Sequence, residues 1–141
     1  HAFAKAGLFV IVGLSNNNIR GLKAASPLLA AFLVVFGFSL IGVPLTLGFV
    51  PKWYLLLAGA GLSGFMQIFV LAGVILGSVL AAIYVWRMIE LAYFTEITYS
   101  IKTGWQSHVC LFTLALLTIL LAIFAEPIAS FVTELAGEFA K

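Results

Sequence analysis

Residues 65–86 form one long apolar stretch that contains no charged side chain. About 20 apolar residues in a helix cross the roughly 30 Å hydrocarbon core of a bilayer, so this stretch is long enough to span a membrane. The whole chain has the same bias, with 64% of its 141 residues hydrophobic and 9% charged, whereas soluble domains have about 25% charged residues. Because backbone groups in lipid must hydrogen-bond internally and the apolar stretches do not alternate with polar residues, we predict an all-α polytopic membrane protein.

The apolar stretches and the polar segments between them predict about four transmembrane helices. We place these helices near residues 1–14, 27–60, 65–93 and 109–125. The first is shorter than a full span, so we expect it to be the second part of a helix whose beginning is missing. Residues 1–126 are expected to form the membrane part. In residues 127–141 apolar side chains recur every three to four positions, a spacing typical of an amphipathic helix at the membrane interface.

The second helical region contains helix-weakening residues in its middle. Four such residues lie close together in the sequence: Gly42, Pro44, Gly48 and Pro51. Glycine and proline both destabilise the interior of a helix. The apolar stretch around them, residues 28–60, is too long for one straight span. We therefore predict a broken helix, whose first half ends near Ile41 and whose second half begins near Val50.

Lys5 lies in the first helix with apolar residues on both sides, and His1 lies one helical turn before it. Residues four apart share one face of a helix. Ionisable side chains inside a membrane are costly and often mark ion or proton pathways. Histidine titrates near neutral pH, so this pair could pass protons along the helix. Alternatively, the first helix begins at the membrane interface and both side chains contact water. The sequence leaves these two interpretations open.

Lys52 directly follows the predicted helix break. If the break lies near the middle of the membrane, freed backbone groups and the lysine form the kind of ion site that discontinuous helices build in transporters. Alternatively, residues 27–50 form a complete span, and Lys52, Trp53 and Tyr54 anchor its end at the interface. Residues 55–62 would then be an apolar loop outside the lipid, so we favour the broken helix.

Two patterns in the third helix favour structural roles. Gly73, Gly77 and Ala81 recur every four positions and predict a smooth face for close packing against another helix. Arg87 and Glu90 are three residues apart, a spacing at which opposite charges on a helix pair. We expect this pair near the cytoplasmic interface.

The remaining polar residues do not indicate a catalytic site. His108 and Glu126 flank the last helix and are expected at the membrane interface. The sequence contains no metal-ligand cluster, phosphate-binding loop or nucleophile motif, so we expect no metal, no cofactor and no catalytic site in this chain. The net charge of +2 is too small to indicate binding to nucleic acid.

The positions of lysine and arginine predict how the protein is oriented. Arg20 and Lys23 follow the first helix. Arg87 lies near the end of the third helix, on the same side as Lys102 in the connection to the fourth helix. Short cytoplasmic loops carry an excess of these residues. We therefore expect these two loops in the cytoplasm and the C-terminus on the opposite side of the membrane.

Three segments resemble one family of membrane proteins. HAFAKAGLF, residues 1–9, resembles the His-x-x-x-Lys helix of the antiporter-like subunits of respiratory complex I, membrane-bound hydrogenases and Mrp-type cation/proton antiporters. SLIGVPLTLGFVPKWYLLLA, residues 39–58, resembles the broken helix of that family, in which a Gly-x-Pro turn precedes a key lysine or glutamate. YVWRMIELAYF, residues 84–94, is most similar to the D-type subunit of the Mrp antiporters. The resemblance extends from His1 to about Ala125.

The resemblance implies that this chain corresponds to the last four helices of such a subunit. Lys5 and His1 would take the place of the relay residues of the eleventh helix, and Lys52 that of the terminal lysine or glutamate of the broken twelfth helix. The first repeat of the family, with its glutamate–lysine pair, is absent, so a missing N-terminal portion and other membrane subunits are the expected partners. Pro51 departs from the family, in which a small or polar residue is frequent before the key lysine.

The function implied by the resemblance is ion translocation, in a membrane expected to be a bacterial-type inner membrane. Protons would move through Lys52, Lys5 and His1, coupled to antiport of a monovalent cation such as Na+. One alternative is redox-driven proton pumping in a complex I-like or hydrogenase complex. The other is a structural membrane subunit without its own pathway, held in a larger complex by the face of Gly73, Gly77 and Ala81.

Overall fold

The computed structural model of the chain describes residues 1–95, 101, 103–125 and 130. In these residues the chain forms helices and no strand. The helices are α1 (Ala2–Leu14), α2 (Leu22–Ala25), α3 (Pro27–Ile41), α4 (Phe49–Ala60), α5 (Gly64–Phe94) and α6 (Trp105–Ile123). The all-α prediction is therefore confirmed for this part of the chain. The amphipathic helix predicted for residues 127–141 lies outside the described residues, apart from Ser130.

Two helices, α5 and α6, are long and apolar enough to cross a membrane, whereas α1 and α3 are apolar but shorter. The surface of α5 carries large apolar side chains, such as Phe65, Leu76 and Leu80, which are 80%, 61% and 66% exposed. Such a continuous apolar surface is unfavourable in water. The surface of α5 is therefore suited to lipid or to further helices, as the composition predicted. The number of about four spans stays a prediction.

Helix α3 lies at the centre of the described structure and packs against α1, α2, α5 and α6. Two glycines permit close approach at its contacts. A Cβ atom added to Gly7 of α1 would overlap the ring of Phe36, and one added to Gly37 would lie 2.6 Å from the side chain of Val85 in α5. Phe36 is completely buried. The packing of α1 and α5 thus holds the C-terminal half of α3 in place.

The predicted interruption of the second helix is present in the structure, where residues 42–48 separate α3 from α4. Gly42 ends α3 in a left-handed conformation, with φ of 83°, and its N–H donates to the carbonyl oxygen of Phe38 at 3.0 Å. Glycine adopts this conformation at little cost and commonly ends helices in this way. Pro44 follows in the connecting segment, where its side chain is exposed.

Helix α4 begins at Phe49, one residue before the predicted start. Pro51 therefore lies in the first helical turn. An amide N–H has no intrahelical partner at that position, so proline costs little there. The departure from the family pattern at Pro51 is accommodated without interrupting α4.

Candidate functional site

The side chain of Lys52 extends from the first turns of α4 back to the C-terminal end of α3. Its ammonium group donates to the carbonyl oxygen of Ile41 at 2.6 Å and lies 3.5 Å from that of Leu40. A third contact, at 3.1 Å, is made with the hydroxyl oxygen of Ser78 in α5. Lys52 therefore joins the two halves of the broken helix and connects them to α5.

The chemistry of a helix end explains why a cation lies here. The last carbonyl groups of a helix have no N–H partner within the helix, and their dipoles give this end a partial negative charge. Leu40 and Ile41 are the last two residues of α3. The ammonium of Lys52 supplies the missing donors and the compensating charge. A lysine at an ordinary interface would instead extend its ammonium into water.

Two glycines of the break are required by close contacts. A Cβ atom on Gly48 would overlap the carbonyl oxygen of Ser39, which belongs to the last turn of α3. A Cβ atom on Gly42 would lie 2.9 Å from Cδ of Lys52. Gly48 thus lets the connecting segment pass against α3, and Gly42 leaves room for the stem of the lysine.

Helix α6 contacts the break from another direction. The N–H of Leu47 donates to the carbonyl oxygen of Thr118 at 3.1 Å. Thr118 is buried, and its hydroxyl donates to the carbonyl oxygen of Leu114 at 2.8 Å. Ser39 is 1% exposed, and its hydroxyl has no hydrogen-bond partner in the part of the chain that the structure describes. The connecting segment is therefore fixed to α6 by its backbone, beside a buried and unpaired hydroxyl.

His1 and Lys5 have different surroundings from those of Lys52. Lys5 lies in α1, and His1 precedes the first residue of that helix. Both residues are exposed, whereas the buried face of α1 contains Ala4, Leu8 and Ile11. No hydrogen bond or ion pair joins either side chain to another described residue. The structure brings Lys52 into a site, but it does not bring Lys5 or His1 to that site.

The predicted packing face of α5 is open within the described structure. Nothing lies within 4 Å of a Cβ atom built on Gly73 or Gly77, and Ala81 is only half-buried. Packing of this face against another helix stays a prediction. Arg87 and Glu90 form the ion pair that their spacing predicts, with an N–O distance of 2.7 Å between exposed side chains.

Sequence reasoning missed the hydroxyl groups around the break. The Ser78 hydroxyl contacts Lys52, and the Ser39 hydroxyl is buried without a partner among the described residues. The Thr118 hydroxyl is also buried but donates within its own helix to the carbonyl oxygen of Leu114. A signal for Ser78 was present, since between Gln67 and Tyr84 it is the one residue with a hydrogen-bonding side chain. Polar residues at membrane depth are rare and commonly face a partner.

The described residues contain no group of three or more histidine, cysteine, aspartate or glutamate side chains that could hold a metal ion. His108, which we expected at the interface, lies near the start of α6, where Nε2 is 2.8 Å from the hydroxyl of Thr103. The groups at the Lys52 site are the lysine ammonium, two backbone carbonyl groups and a serine hydroxyl.

The sequence around this site is similar to known membrane proteins. Residues 1–81 match the transmembrane family described as NADH:quinone oxidoreductase/Mrp antiporter. NADH-quinone oxidoreductase subunit N of Rhodospirillum rubrum is 42% identical over 82 residues, which are 58% of this chain and 16% of that protein. The family match includes Lys5, Lys52 and Ser78, and it ends before residues 84–94, the segment that resembles the D-type Mrp subunit.

Proposed function

We propose that this chain, which belongs to the NADH:quinone oxidoreductase/Mrp antiporter transmembrane family, forms part of a membrane subunit that translocates protons through Lys52. The family is integral to membranes, and the apolar helices agree with that location. The proposal rests on the contact between the Lys52 ammonium and the carbonyl end of α3. The ammonium nitrogen lies 2.6 Å from the carbonyl oxygen of Ile41. In many transporters the ion site lies at a discontinuous helix, where unwound backbone carbonyl groups and helix ends coordinate the ion.

The length of α3 supports this role. α3 has 15 residues, which at 1.5 Å per residue extend about 22 Å. A helix of that length that starts at one edge of the hydrocarbon core, which is about 30 Å thick, ends about 8 Å short of the other edge. Lys52 would then lie away from both headgroup regions. A lysine ammonium there can release a proton when a neighbouring acceptor becomes available, because its neutral amine is tolerated in an apolar environment.

Lys5 and His1 are the proposed next members of the pathway. Their exposed positions on α1 require a covering surface that the described residues do not supply. We propose that other portions of the translocating protein or neighbouring membrane subunits cover this face and provide the groups that exchange protons with Lys5. From the positions of lysine and arginine we further propose that the connection with Arg20 and Lys23 and the end of α5 with Arg87, together with Lys102, face the cytoplasm.

Redox-driven pumping is the form of translocation that we place first. The relative with 42% identity is named as a subunit of an NADH-quinone oxidoreductase. Proton transport coupled to antiport of a cation such as Na+ is the second candidate, because the family description also names the Mrp antiporters and residues 84–94 resemble one of their subunits. The two candidates differ in what drives proton uptake into sealed vesicles. NADH oxidation drives it in the first candidate, and an imposed Na+ gradient drives it in the second.

The central test is Lys52→Ala in the complete membrane complex, with proton flux measured in sealed vesicles. We expect a loss of at least about tenfold, which corresponds to about 1.4 kcal/mol in the barrier. Lys23→Ala is the matched control, because Lys23 is an exposed lysine whose ammonium lies 5.3 Å from the ring centre of Tyr93, and it should retain flux. Unchanged flux in a normally assembled Lys52→Ala complex would leave Lys52 as a structural cap of α3 and favour a structural subunit.

A further inference from the structure

We propose that Ser78 is a positioning residue for proton transfer at Lys52, because its hydroxyl can hydrogen-bond to both protonation states of the lysine. This inference rests on the proposed function of Lys52 as a proton carrier. It adds α5 to the site and assigns a role to a polar residue in an otherwise apolar part of that helix. It concerns the hydroxyl alone and not the packing of α5.

The geometry places the Ser78 hydroxyl between two partners. Its oxygen lies 3.1 Å from the ammonium nitrogen of Lys52. The same hydroxyl donates to the carbonyl oxygen of Val74, one turn earlier in α5, at 2.9 Å. In this arrangement Ser78 accepts a hydrogen bond from Lys52 and donates its own proton to the helix. All three described contacts of the ammonium are then with acceptors.

Loss of a proton from Lys52 changes what the nitrogen requires. The ammonium has three N–H donors and no acceptor, whereas the neutral amine has two N–H donors and one lone pair. The carbonyl groups of Leu40 and Ile41 can only accept, so neither can satisfy that lone pair. The Ser78 hydroxyl is both a donor and an acceptor. Rotation about its C–O bond moves its proton from the oxygen of Val74 to the nitrogen of Lys52.

The alternative is that Ser78 merely satisfies its own helix. Serine and threonine hydroxyls commonly donate to the carbonyl four residues earlier. Thr113 of α6 makes this bond with Val109 at 2.8 Å, and its side chain is exposed and lies in a different helix from Ser78. Thr113 therefore has the local bond of Ser78 but lies apart from Lys52, and it provides a matched control.

The test compares Ser78→Ala, Ser78→Thr and Thr113→Ala in the complete membrane complex, with proton flux in sealed vesicles as the readout. We expect Ser78→Ala to lower flux about tenfold, equivalent to about 1.4 kcal/mol in the barrier, at normal assembly. Ser78→Thr keeps a hydroxyl on the same atom position and should restore most of the flux. Thr113→Ala should leave it unchanged. Equal losses in Ser78→Ala and Ser78→Thr would assign the effect to packing and overturn the inference.

A double variant separates this inference from the proposed function. If Ser78 acts through Lys52, adding Ser78→Ala to Lys52→Ala should cause no further loss of flux. A further loss by the same factor as in the single variant would overturn the role of Ser78 and leave that of Lys52 intact. Wild-type flux in Ser78→Ala, together with a large loss in Lys52→Ala, would do the same. Wild-type flux in Lys52→Ala would instead remove the proposed function itself.

Discussion

Lys52 and Lys5 are both lysines in apolar helices, but their surroundings in the structure differ. The ammonium of Lys52 is bound by two carbonyl groups of α3 and by the hydroxyl of Ser78. Lys5 is exposed on α1 and has no side-chain hydrogen bond or ion pair to the rest of the described chain. The six described helices therefore build the surroundings of one lysine and leave those of the other open.

This contrast shows which part of the proposed pathway these helices build by themselves. An ionisable group within lipid is unfavourable unless it is paired or hydrated. The helix break meets this requirement for Lys52 by exposing the carbonyl end of α3. α1 is continuous from Ala2 to Leu14, so it has no free carbonyl groups near Lys5. The proposed relay at Lys5 and His1 thus depends on groups outside the described residues, and the site at Lys52 does not.

The largest expected effect comes from disturbing the break itself. In Gly48→Ala the new Cβ atom would overlap the carbonyl oxygen of Ser39, so α3 and the connecting segment must separate. Overpacking of this kind lowers the free energy of unfolding by about 1–3 kcal/mol. We also expect proton flux to fall, because Lys52 would lose its alignment with Ile41. Thermal unfolding of the purified complex and flux in vesicles measure the two effects.

Gly13→Ala is the control for this substitution. Gly13 is a helical residue of α1, and nothing lies within 4 Å of a Cβ atom built on it. Alanine is favoured over glycine inside a helix by about 0.5–1 kcal/mol, so stability should stay constant or rise. Equal behaviour of the two variants would mean that the connecting segment does not depend on its contact with Ser39. Lys52 would then have no better-defined surroundings than Lys5.

Much of this architecture follows from the sequence, because local chemistry determines it. Apolar length predicts α5, and the positions of Gly42 and Gly48 predict the end of α3 and the region before α4. These residues act through backbone conformation and the lack of a side chain, which a sequence reveals directly. The Arg87–Glu90 pair is equally local, since three positions along a helix bring the two side chains together.

The contacts that the break makes with α5 and α6 were not predictable in the same way. The contact with Ser78 joins residues 26 positions apart, and that between Leu47 and Thr118 joins still more distant ones. Both depend on how α5 and α6 pack against α3, and spacing within one helix carries no information about this. Ser39 was missed for the same reason, because its burial results from surrounding helices rather than from its neighbours in the sequence.

A smaller effect is expected at Ser39, beside the break. Its hydroxyl is buried and has no partner among the described residues. An unsatisfied buried polar group costs about 1–3 kcal/mol, so Ser39→Ala should raise the unfolding free energy by up to about 1 kcal/mol after the small loss of packing. Thr118→Val is the control, because that hydroxyl is equally buried but donates to Leu114. It should leave stability unchanged or lower it slightly.

Proton flux in Ser39→Ala tests whether the site of Lys52 needs this hydroxyl. If the site of Lys52 is complete with its three described partners, removal of the Ser39 hydroxyl should leave proton flux within about twofold of wild type, less than about 0.5 kcal/mol in the barrier. A drop in both stability and flux would indicate that this hydroxyl binds water that the site requires. The site at Lys52 would then also depend on groups beyond those that the helices supply.

The smallest expected change in stability is at Lys5. Lys5→Met removes the charge but keeps a long side chain, and no described hydrogen bond is lost, so the unfolding free energy should change by no more than about 0.5 kcal/mol. Lys52→Met, the matched variant, leaves the carbonyl groups of Leu40 and Ile41 without their donor and should cost about 1–3 kcal/mol. Thermal unfolding of the two complexes compares them directly. An equal cost at Lys5 would mean that another element of the complex binds this lysine as tightly as the helix break binds Lys52. The two sites would then differ in which segment supplies the partners and not in how completely the charge is compensated.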